Sequence, residues 1–444
     1  MISVEPVLAV GIMEGRLEIT GAFTGSYQDG SGAGREGSFR CQHTEDGWEF
    51  TCGDVLTRYA GDDLRFLPST ASSVVGLDDV TIGINFHWER NEPQMFRGGL
   101  HLLYVAGQGI TAINEVPLEE YLKSVISSEM SATAPAALLE AHAITSRSWL
   151  VAMLERRSQK VSPPPGVRIT SAGMEIVRWY TREDHATFDV CADDHCQRYH
   201  GVTKIISAAA ADAVEATRGI FLVHENAVCD ARFYKACGGR TEDFASAWED
   251  REIPYLRSVM DAGSERPPVT TEADMRAWLS DPPDAYCNTT DAGILRQVLP
   301  SFDQETTDFF RWTVTYPAKE LDALVARRSG LSFGRIRALE PVHRGPSGRL
   351  TALRIVGSDR TVIVGKELEI RRWLSPSHLY SSAFIIETTI GADGFPEEFR
   401  LTGAGWGHGV GLCQIGAAVM ATRGIPPDRI VLHYFPHAAL QRLY

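Results

Sequence analysis

The chain has 444 residues, enough for two or three domains or one large domain with insertions. Its 44% hydrophobic and 23% charged content is that of an ordinary folded protein with a sizeable core. Acidic residues (57) outnumber basic ones (43) for a net charge of −14, which argues against nucleic acid and anionic membrane surfaces, since both select for basic patches.

The first stretch, MISVEPVLAVGIMEGRLEIT, has no basic start, and Glu5 interrupts any apolar run. It reads as a strand rather than a signal peptide. The expected location is therefore the cytoplasm, or an exported compartment reached by a signal absent from this chain. No apolar run approaches the length of a membrane span. Residues 1–112 are expected to be β-rich, with short alternating segments such as RLEITGAF, WEFTCG and VTIGINFHW separated by glycine-rich turns. From 115 to 157 the pattern turns helical. Pro117 suits a helix start, and Leu118, Leu122, Val125 and Glu129 recur three or four apart on one face. A second helix is expected from Pro135 to about Arg157, ended by a KVSPPPGV loop.

Further on, KIISAAAADAVEATRG reads as a segment closed by Gly219, and IFLVHENAVCDARFYKA as a β-hairpin turning near Asn226. Residues 266–345 open on Pro267-Pro268 and read as an accessory insertion. LTALRIVG and RTVIVGKELEIRRWL then give strands followed by a helix, and the end of the chain gives a strand, a glycine-rich loop and the helix QIGAAVMATRG. The class is α+β. The expected division is 1–112 (β-rich), 113–265 (core, first part), 266–345 (accessory) and 346–444 (core, last part).

Three segments carry chemistry. In VPLEEYLKSVISSEM, Glu129 lies on the apolar face of its helix or just past its end. Burial there would keep a carboxyl protonated, as a general acid requires; a solvated glutamate at a helix end is the plain alternative. On the next helix Arg147 is either a substrate clamp or a partner that holds two helices in register. In CDARFYKACGGRTEDFASAWED, Gly238 and Gly239 permit close backbone approach, and Thr241 and Glu242 follow. In GAGWGHGVGLCQIGAA, alternating glycines would let a polyhydroxylated ligand approach main-chain donors while Trp406 stacks on a sugar ring. Neither the dinucleotide glycine spacing nor a Gly-Lys-Ser/Thr sequence is present, so a phosphate cradle is disfavoured.

The eight cysteines are too sparse for a disulfide scaffold. The run HATFDVCADDHCQRYH instead places His185, Cys191, His195 and Cys196 together, thiolates and imidazoles that suit a structural zinc ion. Cys229 or Cys237 could replace one of them, and free or disulfide-linked cysteines are the competing reading.

Taken together and in order, VPLEEYLKSVISSEM, AHAITSR, CGGRTEDFASAW, PYL, GWGHGVGLCQIGA and LHYFPH resemble the sporulation stage II protein D and amidase-enhancer (SpoIID/LytB) family from about residue 110 to the end. The resemblance implies peptidoglycan glycan strands as substrate and lytic cleavage of the MurNAc–GlcNAc bond. It carries the catalytic acid onto Glu129 and makes Arg147, Cys237, Gly238, Gly239, Trp406, His408 and Gln414 cleft residues. A cell envelope location follows from that substrate. The sequence departs from the family pattern at Ser131, where proline is usual, at His142, where glutamine is common, and at Cys413, where serine is frequent.

A lytic transglycosylase needs one carboxyl, because the sugar's own 6-hydroxyl is the nucleophile, whereas most glycosidases need two. Glu242 is the candidate second acid for a lysozyme-like alternative. A non-catalytic binding module that stimulates a cell-wall amidase partner, and a cysteine hydrolase using Cys237 with His408, complete the alternatives.

Overall fold

The computed structural model describes residues 2–444 except 85–88, 132, 158–166, 171–172, 181–184, 194–195, 206–207, 299–307 and 378. The expected KVSPPPGV loop falls almost wholly outside the described residues. The fold is α+β, and the chain divides into two compact units. One comprises Met1–Ala143, Arg182–Ile220 and Arg442–Tyr444; the other comprises Ile144–Thr181 and Phe221–Gln441. Residues 266–345 lie inside the second unit.

The first unit is built on an 11-stranded sheet among the described residues. Val7–Arg16 pairs antiparallel with Gly109–Pro117, and Gly109–Pro117 pairs with Gly99–Val105. The expected alternation is visible in Glu18–Asp29, where Ile19, Phe23 and Tyr27 point inward and are fully or almost fully buried. Phe23, Phe39, Phe50 and Phe66 fill this core, with Phe50 and Phe66 ring centroids 4.6 Å apart. Fully burying each such ring is worth about 1.5–3 kcal/mol.

The helix Leu118–Glu129 follows the sheet directly. Pro117 (φ −57°) caps it, and Glu119 and Glu120 in its first turn complement the helix dipole. Leu118, Leu122 and Val125 are completely buried, as their spacing predicts. Met130 adopts extended backbone and ends the helix. The second helix runs Ala136–Arg157, and a third, Ala208–Ala216, is followed by Gly219 in the left-handed region.

The expected hairpin is present, with Ile220–His224 pairing with Ala227–Val228. Its two turn residues, Glu225 (φ 47°) and Asn226 (φ 64°), are both left-handed, the geometry of a turn whose twist matches the strands. Val167–Thr170, Gly173–Val177, Thr361–Gly365, Leu350–Gly357 and Ile336–Arg344 form a five-stranded sheet in that order. The helices Ala318–Ser329 and Glu367–Trp373 contribute Leu321, Val325, Ile370 and Trp373 to the core that also takes in Leu353, Ile355, Val362 and Val364. Arg311–Pro317, Pro396–Ala404 and Phe384–Ile390 form a three-stranded sheet. Phe233–Tyr234 and Leu412–Cys413 pair as a short parallel ribbon, which sets the CGG and GWGHG segments side by side. Among the described residues no helix is long and apolar enough to cross a membrane.

Candidate functional site

Glu129 is the last residue of its helix and is half-buried, so the burial suggested by its spacing is partial. Its Oε1 accepts the backbone N–H of Arg198 at 3.3 Å. The segment supplying that N–H is pinned to the same helix. The His200 N–H donates to Ser124 Oγ at 3.1 Å, the Tyr199 hydroxyl donates to Asn114 Oδ1 at 2.6 Å, and the Tyr199 and Tyr121 rings stack at 4.9 Å. Burial pushes the His200 imidazole down to about 4, so it is neutral near pH 7. Sequence reasoning missed Arg198, Tyr199 and His200, although they follow Cys196 directly in CQRYH.

His185, Cys191 and Cys196 offer ligand atoms that all lie within 4.8 Å of one another. The Cys196 thiol and His185 Nε2 are 3.4 Å apart. Cys196 is buried, and the other two are half-buried. His195, the fourth residue of the expected set, lies outside the described residues. Neither Cys229 nor Cys237 belongs to this group as described. Cys229 is buried elsewhere, and Cys237 groups with other residues of the second unit.

In the second unit the CGG and GWGHG loops lie back to back. The Trp406 N–H donates to the Ala236 carbonyl at 2.7 Å, and the Ala236 N–H donates back at 3.0 Å. Gly238 (φ 78°) and Gly405 (φ 75°) sit where this approach is tightest. A Cβ on Gly238 would lie 2.8 Å from Gly405 N, and one on Gly405 would lie 2.7 Å from the carbonyl oxygens of Ala236 and Cys237. Only glycine fits either position.

Trp406 and His408 are half-exposed. One face of Trp406 stacks on Phe309 at 4.7 Å, with Tyr380 at 4.5 Å. His408 packs edge-on against Trp248 at 4.9 Å and accepts the Val410 N–H at Nδ1. Arg232 lies 3.6 Å over the Trp248 ring. Beneath the loops, the fully buried Arg349 donates to the Gly407 carbonyl (3.1 Å), the Cys237 carbonyl (3.3 Å) and Ser347 Oγ (2.9 Å). Arg147, Cys237 and Gln414 are buried. Gly238 and Gly239 offer backbone alone.

Glu242 is completely buried in a cage of donors. It accepts from Ser347 Oγ (2.6 Å) and N (3.1 Å), Ser246 Oγ (2.9 Å) and the Asp243 N–H (2.8 Å). Burial pushes its carboxyl upward, while the Ser347, Asp243 and Ser246 hydrogen bonds and the Arg349 charge oppose that rise. No face of it is open to a substrate.

Residues 106–224, which include the Glu129 helix and the segment folded over it, match the family model described as Stage II sporulation protein. The motif resemblance is thereby supported: this segment is similar to the SpoIID family. It is 26% identical over 326 residues to stage II sporulation protein D of Bacillus subtilis (strain 168), covering 73% of this chain and 74% of that protein. It is 25% identical over 324 residues to the protein of the same name from Bacillus amyloliquefaciens, with the same coverage. An uncharacterised protein of Brachyspira hyodysenteriae is 25% identical over 314 residues, covering 70% of this chain and 62% of that protein. Residues 242–411 match a second family, described as Domain of unknown function (DUF8618).

Proposed function

We propose that this chain is a peptidoglycan lytic transglycosylase with Glu129 as its single acid/base. The observation that carries the reading is the setting of Glu129. It closes a buried helix within the SpoIID-matching segment, remains half-exposed, and has one oxygen held by a backbone N–H. The second carboxyl that a hydrolase would need is not offered by Glu242, which is fully enclosed. Glu129 would donate its proton to the glycosidic oxygen as the bond to the MurNAc anomeric carbon breaks. The resulting carboxylate would then take the proton of the same sugar's 6-hydroxyl as that oxygen closes on the anomeric carbon, leaving a 1,6-anhydro end. Trp406 and His408, the half-exposed members of the cleft set, are the side chains suited to touching glycan. A Cys237–His408 hydrolase is disfavoured because the Cys237 thiol is buried 3.3 Å from Cys287.

His185, Cys191 and Cys196 fit a zinc ion by donor type and clustering. Bound there, zinc would brace the 185–196 segment and so help hold the Arg198 N–H against Glu129.

The test is digestion of purified glycan strands followed by mass spectrometry of the ends. Anhydro ends that disappear in Glu129→Gln are expected. Reducing ends would make the protein a hydrolase, and binding without any cleavage would favour the amidase-enhancing module.

A further inference from the structure

Cys237, Asp261, Cys287 and Cys413 come from four separate stretches of the second unit, yet their ligand atoms all lie within 4.8 Å of one another. None is more than 2% exposed. We propose that they form a closed, tetrahedral zinc site, distinct from the His185 group, that ties the CGG and GWGHG loops together.

Three soft sulfur donors and one carboxylate, sealed from water, form a donor set that selects zinc over harder divalent ions. Without a cation, burying a carboxylate among thiols is costly. Arg349 reaches only the Cys237 carbonyl here, and Arg311, the other arginine close to these thiols, is also engaged by main chain. The Arg311 guanidinium donates to the carbonyls of Gly238 (3.0 Å), Phe310 (2.9 Å) and Trp278 (3.0 Å).

The surroundings are also those of metal-bound thiolates. The Gly239 N–H donates to Cys237 Sγ at 3.3 Å. Cys413 Sγ accepts the Cys237 N–H at 3.3 Å and the Gly416 N–H at 3.4 Å, the latter as the cap of the helix Gln414–Thr422. Helix N-termini and N–H donors favour the thiolate form. The carboxylate is oriented in the same way, by the Tyr434 hydroxyl on Oδ1 and the Cys287 N–H on Oδ2, each at 2.6 Å. Such partners fix ligand direction around a metal. A disulfide would use two of the three thiols and leave the third beside an uncompensated carboxylate.

The location gives the site a purpose. Cys237 lies between Ala236, which bridges to Trp406, and Gly238, which packs on Gly405. Cys413 closes the strand that pairs with Phe233–Tyr234. Asp261 and Cys287 lie inside the 242–411 match, whereas Cys237 and Cys413 flank it. One ion would therefore fasten the intervening segment to both glycine loops. It would also account for cysteine at 413, where the resemblance leads one to expect serine.

The experiment uses full-length protein carrying Cys191→Ser and Cys196→Ser, purified under reductant without a histidine tag, so that the other cluster cannot contribute metal. About one equivalent of zinc per chain is expected, released only by a strong chelator with loss of thermal stability. Replacement by cobalt(II) should give the intense visible bands of a tetrahedral thiolate site. Adding Cys413→Ser, the residue common in the family, or Cys287→Ser should abolish those bands, and circular dichroism would establish that the variants remain folded. Should either added variant unfold, the cobalt spectrum of the parent decides the question. A folded, metal-free parent would overturn the proposal, as would a cobalt spectrum without thiolate bands. A Cys237–Cys287 disulfide found by peptide mapping under non-reducing conditions would do the same.

Discussion

Glu129 and Glu242 are both glutamates within family-matching segments, and the fold treats them in opposite ways. Glu129 stands at the open end of a helix and receives one backbone N–H. Glu242 is enclosed by two hydroxyls and two backbone donors. The first can exchange a proton with something that arrives from solvent; the second can only hold its neighbours in place. Under the proposed mechanism, then, burial by itself does not mark the acid, and access must accompany it.

The sharpest way to break this contrast is to swap the losses. Glu129→Gln should reduce release of anhydro-ended strands by about 10²–10⁴-fold, with unchanged thermal unfolding and glycan binding. Glu242→Ala should act on the fold instead. Four donors, three of them in buried hydrogen bonds, lose their acceptor, so about 3 kcal/mol or more of stability should vanish in urea titrations, and the folded fraction should keep its activity. A fully stable but inactive Glu242 variant would reverse the assignment.

The pH dependence of stability sharpens the comparison further. The native Glu242 carboxyl is raised above its ordinary value by burial, so its protonated form is favoured by folding. Its stabilising contribution is full below the unfolded-state value and is lost as pH rises through the native one. The stability difference between wild type and Glu242→Gln should therefore shift against wild type as pH rises through that window. A flat difference would mean that the cage fully offsets the burial. For the open region, Cys191→Ser should remove the zinc proposed at His185, Cys191 and Cys196, as read by metal analysis, and should loosen the 185–200 segment in hydrogen exchange. The smallest effect is expected from Trp406→Ala. Losing one stacking partner should weaken glycan binding by about 0.5–1.5 kcal/mol, with a modest stability loss from the Phe309 and Tyr380 contacts. A large stability loss with intact binding would make Trp406 a packing residue.

Much of the local structure was legible in the sequence because its causes are local. The 3.6-residue period of Leu118, Leu122 and Val125 gave the helix, and Glu225-Asn226 between apolar runs gave the hairpin. The site was legible only where it is continuous in sequence. Grouping cysteines by proximity along the chain placed Cys237 with Cys191, Cys196 and Cys229, whereas the fold gathers it with Cys287, Cys413 and Asp261. Those contacts are set by the parallel ribbon Phe233–Tyr234 with Leu412–Cys413, a pairing across most of the second unit that no short-range pattern encodes. The burial of Arg147 was equally unreadable, since an arginine on an apolar helix is compatible with a clamp or a strut.

The back-to-back loops carry a consequence for how this sequence can drift. The space a side chain would need at Gly238 is occupied by the backbone of Gly405, and the space needed at Gly405 by the carbonyls of Ala236 and Cys237. Neither glycine can be exchanged first with the other compensating later, because each obstruction is main chain and no side-chain trimming relieves it. The pair is an evolutionary ratchet: descendants of this chain can rebuild the rim around the loops, at Trp406, His408 or Trp248, but must inherit the crossing itself unchanged.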